Sequence, residues 1–219
     1  MNFLVPYAYE PWMVYGIVIL LLTASSFGLP MPEEVTLVSA GVIAYIGLNP
    51  DKYPPPSPDS TPVDPWMLSF VCFFAVFLSD YLVFSIGRYV RTHAERFALI
   101  DRFVPATVME KVTQKTKKYG ALMAGFFRFT PALRFPGHFA CGFLGVAPWK
   151  FTAVDGTAAL LSVPTQVLLL SFYGEEILGM IKQFKITLLV IFSIIITAYI
   201  ARKIYIRRQI KKQALNRAV

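Results

Sequence analysis

Apolar runs alternate with short polar breaks along this chain, and two of the breaks fall inside apolar sequence rather than between runs. Trp12 to about Phe27 is apolar and close to the shortest stretch that crosses a bilayer, for which ~17–25 residues are needed. Gly28 to Leu48 cannot continue as an ordinary span: it opens Gly28-Leu29-Pro30-Met31-Pro32-Glu33-Glu34 and carries Gly41 and Gly47 further on. Proline removes a backbone donor and blocks helix continuation. A re-entrant hairpin is expected, because irregular backbone at membrane depth survives only against protein or water. Its second arm should begin as a helix near Pro32, with proline and then acids in the first turn.

Trp66 to Ile86 is the clearest full span, interrupted by Asp80 and closed by Gly87-Arg88. Thr92 to Tyr119 is basic and amphipathic, and reads as one or two helices on the membrane surface, broken near Pro105. A soluble helical hairpin is the alternative there. Ala121 to Ala147 holds the second break, Phe127-Arg128-Phe129-Thr130-Pro131-Ala132-Leu133-Arg134-Phe135-Pro136-Gly137. Lys150 to Phe172 reads as a span interrupted at Asp155-Gly156 and Pro164, and Ile186 to Ile200 as a last short span.

The two breaks match in spacing. Pro30 to Gly41 is eleven residues, and so is Pro131 to Gly142. Broken apolar segments at corresponding places in two halves point to the central site of a transporter. The expected fold is an all-α polytopic membrane protein. It has about four transmembrane helices, two re-entrant hairpins in inverted pseudo-repeat, and an amphipathic helix on the cytoplasmic side. One membrane domain covers 1–219: a span and hairpin over 12–48, an external loop over 49–65, a span over 66–88, surface helices over 91–119, the second hairpin over 120–148, spans over 150–173 and 184–201, and a basic tail over 202–219.

Composition agrees with that pattern. Hydrophobic residues make up 56% and charged ones 16%, the latter well under the ~25% usual for soluble domains. The net charge is +8, and its placement carries the information. Eight of the 21 basic residues lie between Arg88 and Lys118, and seven more follow Ala201 with no acid among them. The loop from Asn49 to Pro65 holds seven prolines, three aspartates and one lysine, which suits an extended segment with no packed core. The positive-inside rule places the two basic regions and the C-terminus in the cytoplasm and the acidic loop outside. Juxtamembrane charge accounts for the basic tail, so no nucleic-acid partner is inferred. No basic n-region precedes the first apolar run, so no cleaved signal peptide is expected.

The chemistry rests on charges at bilayer depth, where arginine costs ~2.5–3.5 kcal/mol even on the gentler insertion scale. Arg128 and Arg134 are the candidate substrate-binding residues, because a planar donor fork that never deprotonates suits phosphate. Snorkelling to the interface, or pairing with acids alone, is the bland alternative. Glu33, Glu34 and Asp80 are the candidate proton-coupling acids. Glu34 is the first choice, because it follows the proline turn most deeply, and Glu33 could serve as a solvated helix-terminal charge. Pro30, Pro32, Gly41, Pro131, Pro136, Gly137 and Gly142 are the hairpin-forming residues. Asp155 is expected to do no more than satisfy backbone opened by Gly156. Cys72 and Cys141 read as packing residues, and His93 and His138 lack ligand-spaced partners, so no metal or cofactor is inferred. Arg134-Phe135-Pro136-Gly137-His138 has a superficial likeness to a lipid-phosphatase element, but the serine and the second histidine of a phosphoryl-transfer pair are missing. No enzyme motif is present.

At these positions the chain resembles the DedA family, also called the VTT or SNARE-associated-Golgi-protein-like family. The resemblance rests on Gly28, Pro30, Pro32, Glu34, Ala40 and Gly41, on Asp80, Gly87 and Arg88, and on Phe127, Arg128, Phe129, Pro131, Arg134, Gly142, Phe151 and Gly156. It covers roughly residues 10–175. It implies a lipid translocase of the bacterial inner membrane, moving undecaprenyl phosphate or a phospholipid by its phosphate headgroup, with protons as partners. Essential acids and the two arginines are part of that implication. This chain departs from the pattern at Ser25-Ser26, where an acid often stands. An ion-coupled transporter of a small anion and a non-transporting scaffold are the rival functions.

Overall fold

The computed structural model describes residues 2–27, 33–92, 106–128, 130, 133–177 and 179, with the side chains at 106–109, 111 and 112 left aside. Pro30, Pro32 and Pro131, the expected last span over 184–201 and the basic tail lie outside the described residues. Within them every regular element is helical. After a short 3-10 turn, α1 is Val5–Ala8, α2 Pro11–Ser26, α3 Glu33–Leu48 and α4 Pro65–Thr92. Then come α5 Ala106–Tyr119, α6 Leu122–Arg128 and α7 Arg134–Phe143, and α8, Pro148–Ile177. Residues through Gly174 form one compact unit.

Local chemistry sets the helix starts. Pro11, Pro65 and Pro148 each open a helix, a place where the missing N–H costs nothing and φ is already set. Asp64 caps α4, its carboxylate accepting a bond from the Met67 N–H at 2.6 Å, the usual N-cap role. The acids Glu33 and Glu34 fill the first turn of α3 as expected, where they complement the helix dipole.

The long helices α4 and α8 run antiparallel along their whole length. Trp66 meets Phe172 with ring centroids 6.3 Å apart, Phe77 lies against Gly156, and Phe84 stacks on Phe151 at 4.3 Å. Both are long and apolar enough to cross a membrane. Their outer faces expose Phe70, Leu78 and Leu82 on α4 and Leu160, Leu161 and Leu169 on α8. Exposed Trp66 and Tyr173 mark one end of this pair, and exposed Tyr89 and Trp149 the other. At 1.5 Å of rise per residue those aromatic ends lie about 35 Å apart, which matches a ~30 Å hydrocarbon layer edged by interfacial aromatics.

Two apolar clusters flank the middle of the pair. The first joins α2, α3, the N-terminal half of α4 and the C-terminal half of α8 through Leu22, Leu37, Cys72, Val76, Val163 and Val167. The second joins the C-terminal half of α4 and the start of α8 to α6 and α7 through Phe84, Met123, Phe127, Cys141 and Phe151. Both cysteines are buried and unpaired with each other, as packing residues should be.

The closest approach is between α4 and α7. A Cβ on Gly87 would strike the Phe139 carbonyl, and one on Gly142 the Phe84 carbonyl and the Arg88 N–H. Gly137 presents its bare face to the Phe127 ring. Small residues at helix crossings let backbones touch, and packing of this kind holds helices together where lipid surrounds them. Gly41 plays the same part between α3 and Leu170 of α8.

Two expectations are corrected. α8 runs unbroken through Asp155, Gly156 and Pro164. A membrane helix tolerates proline when neighbouring groups adjust around it, and one residue on, the Thr165 hydroxyl donates to the Leu161 carbonyl at 2.5 Å. The proline-rich loop is also tied down. The Val63 N–H donates to the Ala8 carbonyl at 2.9 Å, the Tyr9 hydroxyl donates to the Tyr53 carbonyl at 2.7 Å, and Val63 and Tyr53 are buried.

Overpacking a tight contact costs about 1–3 kcal/mol. Gly87→Ala and Gly142→Ala should therefore lower the thermal midpoint of the detergent-purified protein. Gly16→Ala, where nothing lies within 4 Å of the added carbon, should leave that midpoint unchanged.

Candidate functional site: a buried charge cluster

Asp80 lies on α4 between Val76 of one apolar cluster and Phe84 of the other. On α8, Asp155 lies between Phe151 and Val163, again one residue from each cluster. Charges therefore occupy the layer between two apolar cores, near the middle of α4. Arg128 ends α6 and Arg134 begins α7. The break between these helices lets both guanidiniums reach inward from successive turns of chain, and Glu33 at the start of α3 completes the set.

Asp80 is the hub. Its Oδ2 accepts 2.8 Å bonds from Arg128 Nη1 and from Arg134 Nη2, and its Oδ1 accepts from Arg134 Nε at 3.0 Å. The Arg134–Asp80 contact is thus a two-point fork, the geometry that only guanidinium supplies. Arg128 Nη1 also donates to Asp155 Oδ1 at 3.4 Å, and Arg128 Nη2 to Glu33 Oε1 at 3.4 Å. Arg134 forms an ion pair with the other oxygen of Glu33, and Ser162 on α8 accepts from Arg128 Nε at 3.5 Å.

Access is graded across the cluster. The side chains of Arg134 and Glu33 are each 12% exposed, whereas those of Asp80 and Asp155 are at 1% and 0%. The Glu33–Arg134 pair is therefore the accessible edge and the aspartates are the sealed floor. Next to Asp80, the Ser79 hydroxyl donates to Ser26 Oγ at 2.8 Å and ties α2 to α4.

The sequence-derived set divides on this geometry. Arg128, Arg134, Asp80 and Glu33 come together. Glu34, the first-choice acid, faces outward and is exposed, because the residue after a helix start points about 100° away from its neighbour. Glu33 takes the place assigned to it. Pro136, Gly137 and Gly142 lie buried within α7, and Gly41 within α3. Pro136-Gly137 therefore does not form a turn at a hairpin tip; both residues are helical.

Two members were missed or undervalued. Asp155 is an ion-pair partner of Arg128 and does more than patch backbone. His138 is wholly buried, with Nδ1 3.4 Å from Asp80 Oδ1 and Nε2 3.4 Å from Asp155 Oδ1. A signal was present: Arg134 and His138 are four apart, the spacing that stacks side chains on one helix face.

Asp80, His138 and Asp155 each offer a donor atom within 4.8 Å of the others. Asp80 Oδ2 and Asp155 Oδ1 are already engaged by guanidinium donors, so the three residues belong to the ion-pair network.

Fold and site together define a helical membrane protein with a compensated charge cluster at its centre. The profile of the VTT domain matches residues 29–176, and the chain belongs to that family, the DedA family. An "Uncharacterized membrane protein" of Haemophilus influenzae (strain ATCC 51907 / DSM 11121 / KW20 / Rd) is 33% identical over 156 residues, covering 71% of this chain and 68% of that protein. No solved structure matches.

Removing one partner of a buried ion pair costs about 3–5 kcal/mol, because the other charge stays buried. Asp80→Ala should therefore lower the thermal midpoint sharply, and adding Arg134→Ala should recover part of the loss, a coupling that a double-mutant cycle reads directly. Glu34→Gln should leave the midpoint where it was.

Proposed function

We propose that this protein is a translocase for phosphate-bearing membrane lipids, built around Arg128 and Arg134. One observation carries the reading: two guanidiniums lie beside Asp80, near the middle of α4, paired with acids from three different helices, with one pair left at an accessible edge. An ion-pair network kept there only for packing could be replaced as a whole by apolar side chains of similar volume at little loss. A lipid headgroup phosphate offers the oxygens that Asp80 and Glu33 now supply, so it can exchange for them without leaving a guanidinium unpaired. The acyl chains meanwhile stay beside the apolar faces of α4 and α8.

On this reading α2, α4 and α8 are spans. α6 and α7 are the two arms of a re-entrant hairpin, since seven and ten residues rise only about 10 and 15 Å, too little to cross. α3 is an arm of the opposing hairpin. The basic regions face the cytoplasm of a bacterial cell. Acids that compete with phosphate for the arginines make the cycle sensitive to protons, because a protonated carboxyl releases its guanidinium.

Purified protein in liposomes of phosphatidylethanolamine and phosphatidylglycerol, carrying labelled undecaprenyl phosphate or labelled phosphatidylethanolamine, tests this with and without a pH gradient. Wild-type protein should move label between leaflets. Arg128→Lys and Arg134→Lys should each reduce the rate at least about tenfold, although charge is kept, because the fork is lost. Wild-type rates in both variants would refute the mechanism. Uptake of free inorganic phosphate without lipid movement would identify a small-anion transporter instead.

A further inference from the structure

The cluster does not balance as written. Glu33, Asp80 and Asp155 contribute three negative charges and Arg128 and Arg134 two positive ones, while a neutral His138 adds none. A buried excess charge is costly, so one further proton belongs in this site. The question is which atom takes it.

Two buried atoms of the cluster lack a hydrogen-bond partner, His138 Nδ1 and Asp155 Oδ2. His138 Nε2 lies 3.3 Å from the Ala124 carbonyl of α6, and a carbonyl only accepts, so Nε2 carries a hydrogen. In the neutral ring the other nitrogen then presents a lone pair. That lone pair faces Asp80 Oδ1 at 3.4 Å, acceptor against acceptor. A proton on Nδ1 turns the repulsion into an ion pair and brings the cluster to neutrality.

The contact also reaches the arginines. Asp80 Oδ1, which Nδ1 faces, is the oxygen bonded by Arg134 Nε. Asp155 Oδ1, which Nε2 faces, is the oxygen bonded by Arg128 Nη1. His138 therefore shares one carboxylate oxygen with each arginine. The groups around it are Asp80 from α4, Asp155 and the edge of the Phe151 ring from α8, the Ala124 carbonyl from α6, and Arg134 one turn back on α7. Glu33 of α3 acts on it only through the arginines.

We propose that His138 is the proton seat of the site, and that protonation at Nδ1 draws Asp80 and Asp155 toward the imidazolium and frees one donor of each arginine for phosphate. The inference rests on the translocase reading for its consequence and on the geometry alone for the proton. The proton comes from the aqueous phase and returns there when the carboxylates close again on the arginines. His138 is a positioning residue, acting on phosphate through the guanidiniums.

Two measurements on the full-length protein test it. In the liposome assay with labelled phosphatidylethanolamine, wild-type rates should rise about tenfold from about pH 8 to about pH 6. In His138→Gln the ratio should fall below about twofold over the same window, and in Asp155→Asn the midpoint should shift. Independently, nitrogen-15 spectra of histidine-labelled protein in lipid nanodiscs should show the Nδ1 of one histidine gaining a proton, with His93→Gln removing the other histidine's signal. A His138→Gln pH profile that superimposes on wild type overturns the proposal, as does a His138 ring that holds one neutral tautomer throughout. Should wild-type protein move no lipid at any pH, the translocase reading fails while the spectra still decide where the proton resides.

Discussion

Two guanidiniums held within reach of three carboxylates, in a layer with almost no solvent, are the constraint around which this fold is organised. None of the partners is a sequence neighbour: Asp80 lies 48 residues from Arg128 and 54 from Arg134, and Glu33 lies 95 from Arg128. Every helix carrying a charge must therefore be in place before any of the charges is compensated. In water, burying apolar surface would drive such an assembly. Among helices in lipid that drive is weak, and packing and polar contacts between helices take over. The glycine contacts between α4 and α7 and the ion pairs at Asp80 are those two contributions, and they act on the same helices.

Placing the charges between two apolar clusters has a further effect. Val76 and Val163 lie on one side of the layer and Phe84 and Phe151 on the other, all of them buried. Low local dielectric strengthens each ion pair and raises the cost of leaving any member unpaired. The cluster is then stable only when fully compensated.

How much of this was legible in the sequence depended on periodicity. Arg128, Arg134 and Asp80 were found because charge inside apolar sequence is conspicuous, and the helix start at Glu33 because prolines followed by acids mark it. Choosing between Glu33 and Glu34 needed the rotation of α3 about its axis, which residue type does not set. His138 was passed over because histidine was judged by ligand spacing along the chain, whereas its partners come from α4 and α8. Asp155 was undervalued next to Gly156, which suggested a broken helix. The contact of Gly156 with Phe77 shows instead that the glycine makes room for a neighbouring ring. The anchoring of the 49–64 loop through Val63 and Tyr53 was equally hidden, since a proline-rich segment carries no pattern that says what it lies against.

The gradient of access across the cluster separates two tasks that a single pocket would confuse. At the accessible edge, Arg134 and Glu33 form the pair that retains some exposure. At the floor, Asp80, Asp155 and His138 are almost wholly buried. Arg134 links the levels, since one guanidinium holds Glu33 at the edge and Asp80 at the floor. A change in charge on the floor therefore alters the hold on Arg134 without any helix having to move. Lysine in that position could answer one partner at a time, because its charge is a point. The planar fork is what lets a change among buried groups be felt at the exposed edge of the cluster.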